Sequence, residues 1–227
     1  MRESGETTRQ LKKKIERFLL GDDFISRVPE MIEIGERRVV NPMFSFFCHH
    51  HELLKWRSIT AMGMVVDHLA GRDPESARVV MRRLMWSLND ESGGIGWGAP
   101  EAMGEVMTRN AMMAKEYCRM LISYINPEGN FLEHEILQRG ALWGFARLAH
   151  ARPHLTKDGA GFLNPFMISQ DTLKRGLAAW AAGPLKDMSN RDRLTGLLQD
   201  ASEIRIYMDG TMKQCTVGRI AENALKN

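Results

Sequence analysis

A short run of small or apolar residues closed by glycine recurs four times along this chain. Its period sets what the chain can fold into. The copies are Ala61-Met62-Gly63, Ala102-Met103-Gly104, Leu142-Trp143-Gly144 and Ala181-Ala182-Gly183, with glycines 41, 40 and 39 residues apart. The first two copies extend further, because Trp56 to Gly63 matches Trp97 to Gly104 in spacing, with Val65 and Val106 following. A second register interleaves with the first: Arg82, Leu84, Asn89 and Glu91 return 37 residues later as Arg119, Leu121, Asn126 and Glu128. Connectors of unequal length account for the two offsets. Self-similarity at a period of about 20–50 residues marks a repeat architecture.

Each period holds two helical patterns. In the first, Ile59, Met62, Val66 and Leu69 fall on one face at helical spacing. Gly71 closes that helix, and Asp73-Pro74 is a start signal for the next. There Ala77, Val80, Met81, Leu84 and Leu88 form a second apolar stripe. The motif glycines lie inside helices, where Gly costs about 1 kcal/mol relative to Ala. That cost is tolerable where two helix backbones must approach closely. Two helices per period, neither able to bury its apolar face alone, define an α-solenoid. The expected fold is therefore all-α, an α-α superhelix of about four to five helix pairs.

The ends depart from the pattern. Thr8 to Leu20 and Phe24 to Glu36 read as two helices joined by Gly21-Asp22-Asp23. Pro153, Gly159, Gly161 and Pro165 make the second helix of the third repeat short or irregular. Glu203 to Met208 alternates with period two, and Asp209-Gly210 is a type I′ hairpin signal. A last helix is expected over Val217 to Leu225. A terminal repeat must cover an exposed apolar end, so the hairpin reads as a short C-terminal cap, with a strand-edge docking site as the alternative. The expected organisation is one solenoid domain over 1–227, with capping helices in 1–38, repeats in 39–200 and the hairpin and terminal helix in 201–227.

The run Leu88-Asn89-Asp90-Glu91, followed by Gly96-Trp97-Gly98-Ala99-Pro100-Glu101-Ala102-Met103-Gly104, resembles a HEAT-like repeat, including the phycobilisome-lyase-type variety. Asp171 to Gly183 resembles it too. Over residues 40 to 200 the chain is similar to small bacterial HEAT-repeat proteins of the armadillo type. The resemblance implies the fold and says little of activity, since such folds serve scaffolds, adaptors and a few enzymes.

Composition narrows the function classes. With 31 Lys and Arg against 28 Asp and Glu, the net charge of +3 makes no case for nucleic acid. Residues 1 to 20 hold six basic and three acidic groups, which leaves the remainder neutral. No apolar run reaches the ~20 residues of a membrane span, and the polar start shows no signal peptide. Three cysteines, Cys48, Cys118 and Cys215, are odd in number and far apart. That pattern fits a reducing cytoplasm better than a disulfide framework or a CxxC zinc site.

Few residues carry chemistry by pattern. Cys48-His49-His50-His51-Glu52 is conspicuous, and a diiron hydroxylase of the HEAT-like class uses repeated His-Glu pairs. His51-Glu52 and His134-Glu135, however, stand 12 and 10 residues before their glycines. The register therefore opposes a symmetric metal site, and the run reads as a solvated turn between repeats. Ser92 to Gly98 holds four glycines that could expose backbone N–H groups to an anion. It lacks the GxxxxGK(S/T) form, so a close helix crossing is the preferred reading. Arg78 and Arg82 are spaced i, i+4, and Lys115 and Arg119 repeat them, so stacking would align the four, with Glu75 and Glu116 diluting the row. By family analogy the second helices of solenoid units line the concave side. Trp86, near the end of the first basic helix, is the indole placed to stack on a base, while Trp56 and Trp97 share a register that favours core packing. Asn89 and Asn126 cap turns.

The leading expectation is a non-catalytic scaffold or adaptor that binds another protein through its concave face. Its candidate surface is Arg78, Arg82, Trp86, Asp90, Trp97, Lys115 and Arg119. No catalytic residue, cofactor or metal is assigned. The alternatives are a nucleic-acid binder of the DNA-glycosylase type using the basic row, and a tetrapyrrole- or metal-related enzyme of the lyase or hydroxylase type.

Overall fold

The computed structural model describes residues 7–89 and 96–226. Among these, twelve α-helices follow one another: α1 (Thr8–Leu20), α2 (Phe24–Ile34), α3 (Glu36–Phe46), α4 (Glu52–Arg72), α5 (Pro74–Ser87), α6 (Ala99–Arg109), α7 (Ala111–Ser123), α8 (Glu135–Ala151), α9 (Asn164–Met167), α10 (Thr172–Ala182), α11 (Arg191–Gly196) and α12 (Val217–Lys226). An antiparallel hairpin, β1 (Glu203–Met208) and β2 (Thr211–Thr216), precedes α12. The buried side chains form one continuous core, from Leu11 in α1 to Ala221 in α12.

Helix starts follow the cap chemistry of the sequence. Asp73 accepts the Ser76 N–H before α5, Asn110 accepts the Met113 N–H before α7, and Asp171 accepts from Leu173 and Lys174 before α10. The two His-Glu pairs turn out to be helix starts as well. His51 Nδ1 accepts the Leu54 N–H before α4, and His134 Nδ1 accepts the Ile136 N–H before α8. In each pair the Glu opens the first turn, where the helix dipole favours a negative charge. The third repeat breaks up as its prolines and glycines require, into 3-10 turns at Pro153–Leu155 and Lys157–Leu163 followed by the single turn of α9.

Three of the four repeated glycines sit inside first helices where these cross, whereas the fourth, Gly183, lies outside the helix interior expected for it and opens a 3-10 turn after α10, because Pro184 follows it. A Cβ on Gly104 of α6 would lie 2.4 Å from the Gly144 Cα of α8, and one on Gly144 would lie 2.4 Å from the Pro100 carbonyl oxygen. A Cβ on Gly63 of α4 would come within 2.7 Å of the Glu105 Cγ. Helices α4, α6, α8 and α10 therefore form one close-packed layer. By contrast, α5 and α7 meet through long side chains, such as Arg78 on Glu116. The glycine-bearing helices make the inner layer, the one the hairpin covers, and α5 and α7 make the outer layer.

The hairpin forms at the expected turn, with Asp209 and Gly210 at φ of 51° and 81°. It is more than a terminal cap. Ile204 packs on Gly176 of α10, Arg205 pairs with Glu52 of α4, and the Tyr207 ring stacks on Trp56 of α4 at 5.1 Å. The Trp143 indole N–H of α8 donates to the Tyr207 carbonyl at 2.9 Å. The hairpin thus lies across the inner layer and reaches back to the first glycine-bearing helix.

Candidate functional site

The expected basic row is an interleaved set of ion pairs. Arg78 donates through Nε and Nη2 to the two Glu116 oxygens at 2.8 and 2.7 Å, and reaches Glu75 at 3.5 Å. Arg82 donates to Glu75 at 2.6 Å. Hydrogen bonds from these guanidiniums hold the Glu75 and Glu116 carboxyls below the usual carboxylate range. Lys115 and Arg119 are exposed on α7 and form no ion pair among the described residues. On the same face of α5, Trp86 is 76% exposed, and Val79, seven residues earlier, is 52% exposed. Trp97 is half-buried just before α6, and its indole N–H is buried without an acceptor among the described residues. Its flanking glycines are close-approach residues, with Gly96 against the Ser87 carbonyl and Gly98, at φ of 79°, against Phe47. Asp90 and Ser92 to Ile95 lie outside the described residues. The structure thus brings Arg78, Arg82, Trp86, Lys115 and Arg119 onto the α5–α7 layer and leaves Trp97 partly inside.

The histidine run forms the turn before α4. Burial, then the neighbouring His50, hold His49 below the usual imidazole range. His49 Nδ1 accepts the His51 N–H at 3.1 Å. Among the described residues, no group of three or more His, Cys, Asp or Glu is placed to hold a metal ion.

The inner layer carries features that composition concealed. Glu101 and Glu105, one turn apart on α6, are both buried. The Glu105 carboxylate is gripped from two helices: Arg109 of α6 binds one oxygen at 2.8 Å and Arg147 of α8 the other at 2.8 Å. Gly63 is what lets this cluster fit, since a Cβ there would also meet Arg109 Cδ at 3.1 Å. Glu101 takes the Lys55 ammonium of α4 on Oε1 at 3.1 Å, while its Oε2 is buried with no partner among the described residues.

Two cavities flank the Trp143–Tyr207 contact under the hairpin. One, of about 280 Å³, is bounded by Trp56, Glu101, Trp143, Leu177 and Ile206. The other, of about 250 Å³, is bounded by Thr60, Glu105, Arg109, Arg147 and Trp180. Between them the hydroxyls of Thr60 and Tyr207 are 3.2 Å apart. The i, i+4, i+8 spacing of Glu101, Glu105 and Arg109 was a readable stripe. Only the tertiary structure shows that it faces inward.

Helix pairs stacked in register, with first helices touching at a repeated glycine, define a HEAT/armadillo-like repeat solenoid. Solved structures carry the same fold. An engineered protein superposes with a TM-score of 0.61 at 14% identity, over 98% of this chain and 92% of its own. A designed armadillo repeat protein gives 0.59 at 13% identity, over 100% and 94%. Another, solved in complex with the peptide (KR)4, gives 0.60 at 15% identity, over 95% and 90%. Identities this low make the likeness one of fold. No family model and no curated protein matches the sequence. Among the described residues no helix is long and apolar enough to cross a membrane.

Proposed function

We propose that this chain is a non-catalytic repeat scaffold or adaptor that docks another protein on its α5–α7 layer, with Trp86 as the anchor. The observation that carries the reading is the 76% exposure of Trp86 beside exposed Val79 on one helix face. Seating an indole in a partner's pocket yields roughly 2–3 kcal/mol, and exposed aromatic anchors flanked by Arg dominate protein interfaces. The inner layer is the less available surface, because the chain's own hairpin lies on it. A designed armadillo protein carries a basic peptide, (KR)4, so the fold suits peptide docking. Here Lys115 and Arg119, without an ion pair among the described residues, favour a partner that presents carboxylates around an apolar pocket. The nucleic-acid alternative loses support, because Glu116 and Glu75 already hold Arg78 and Arg82.

Affinity capture from the native cell with the wild-type chain, Trp86→Ala and the remote control Ile168→Ala tests the reading. The expected result is a protein retained by wild type and control and lost with Trp86→Ala, with unchanged thermal stability. Retention of the same proteins by Trp86→Ala would refute the assigned surface. Captured nucleic acid released steeply by salt would replace the protein partner.

A further inference from the structure

We propose that the cavity of about 250 Å³ at the hairpin turn is a site for a small oxyanion, a carboxylate or phosphate carried on an apolar body, held by Arg109 and Arg147. Two guanidiniums, one from α6 and one from α8, share a single carboxylate there. Arg109 donates through Nε to Glu105 Oε1 and brings Nη2 to 2.8 Å from the same oxygen, while Arg147 gives only Nε to Oε2. Nη1 of Arg109 and both terminal nitrogens of Arg147 have no acceptor among the described residues. Asp209, the other acid on the wall, is held by Lys213. Three cations against two carboxylates leave one positive charge without a counter-charge.

The free donors are within a ligand's reach. The Arg109 and Arg147 side chains are 29% and 34% exposed, whereas Glu105 is 3% exposed behind them, so the accessible part of the cluster is cationic. The two terminal nitrogens of an arginine form a planar fork that matches a carboxylate or phosphate through paired N–H···O bonds. Against the indoles of Trp143 and Trp180, less water screens such a bond than on an open surface. Trp180, Met208 and Ile25 supply apolar wall for the rest of the molecule. Ligand sites typically span about 300–1,000 Å³, so this smaller cavity takes one ring or a short chain behind the charged head. No residue is shared with the α5–α7 docking surface, so either proposal can fail without the other.

Titration of the full chain with benzoate, phenyl phosphate and benzamide tests the assignment, read by tryptophan fluorescence and confirmed by calorimetry. At least one of the two anions should bind saturably, and the tighter of them identifies the head group. Benzamide has the shape of benzoate without its charge and should bind at least about tenfold more weakly than the tighter anion. Arg147→Gln, which can still donate to Glu105, should weaken that anion by at least about tenfold. Glu105→Gln should act in the opposite direction. It removes the competing carboxylate from both guanidiniums, so the anion should bind at least about threefold more tightly although the fold is less stable. A purely structural cluster would show no such gain. Circular dichroism checks folding, and Trp86→Ala should leave every titration unchanged. Benzamide binding as tightly as the anions, or no saturable binding of either anion by the wild type, would overturn the proposal without any variant. Weaker or unchanged anion binding by a folded Glu105→Gln would overturn it as well.

Discussion

Replacing Gly104 by alanine opposes two effects of known size. In an isolated helix the change should stabilise by about 1 kcal/mol, and Gly104 has ordinary helical surroundings within α6. Against this, the new Cβ would stand 2.4 Å from the Gly144 Cα and 2.5 Å from its carbonyl oxygen, both backbone atoms of the facing helix. Carbon atoms sit comfortably at about 3.5–4.0 Å, so α6 and α8 must part by more than an ångström. No rotamer change relieves a backbone contact. Overpacking of this kind costs on the order of 1–3 kcal/mol or more, and separation of α6 from α8 also loosens the Glu105–Arg147 pair that joins them. With the upper end of that range set against the propensity gain, Gly104→Ala should destabilise by about 2 kcal/mol. For a chain of this size that is a fall in Tm of about 4–8 °C. Gly71→Ala is the matched control, a helical glycine of α4 with nothing within 4 Å of its Cβ position. It should leave stability unchanged or raise it by up to about 1 kcal/mol. Urea unfolding followed by circular dichroism reads both. If Gly104→Ala is as stable as wild type, the close-crossing account of the repeated glycine is wrong.

Other outcomes follow from single contacts. Glu105→Gln leaves two converging guanidiniums without their shared carboxylate; with solvent screening of the partly exposed arginines, a loss of about 2 kcal/mol in urea unfolding is expected. Burial pushes the Asp171 carboxyl up, but the hydrogen bond from Arg139 and the α10 amides outweigh it and hold the group below its ordinary value. Its stabilisation is therefore present above the unfolded value near 3.8 and lost as pH falls through the lower folded value, so Asp171→Asn should flatten that part of the acid unfolding curve. Tyr207→Phe removes the hydroxyl contact with Thr60 and should cost about 1 kcal/mol by thermal unfolding. Gly210→Val places a β-branched residue at φ of 81° and should weaken the hairpin by roughly 1–2 kcal/mol.

Much of the fold was legible because periodicity and caps are local. Asp73-Pro74 opens α5, and Asp209-Gly210 makes the hairpin turn, each through backbone chemistry within a few residues. The His-Glu pairs show the limit of spacing arguments: they are equivalent as helix starts, although their distances to the motif glycines differ, because α4 and α8 begin at different depths. The candidate surface was half readable. The alignment of Arg78 and Arg82 with α7 followed from the repeat, but their pairing with Glu116 and Glu75 depended on side-chain reach between helices. Glu101 and Glu105 left no trace in composition, since a buried carboxylate and a solvated one are spelled alike.

The sequence by itself determined the solenoid. A period near 40 residues, two apolar stripes per period and a repeated small residue leave stacked helix pairs as the way to bury every stripe. Only the tertiary structure decided which layer packs tightly, that the hairpin returns across it to Trp56, and that Glu101 and Glu105 are buried between helices. The physical reason is one of range. Helices, caps and turns are set by neighbours in the chain. The partner of a buried charge can lie more than forty residues away, as Lys55 does from Glu101, and the hairpin's course is set by contacts well over a hundred residues apart, as Tyr207 and Thr60 are.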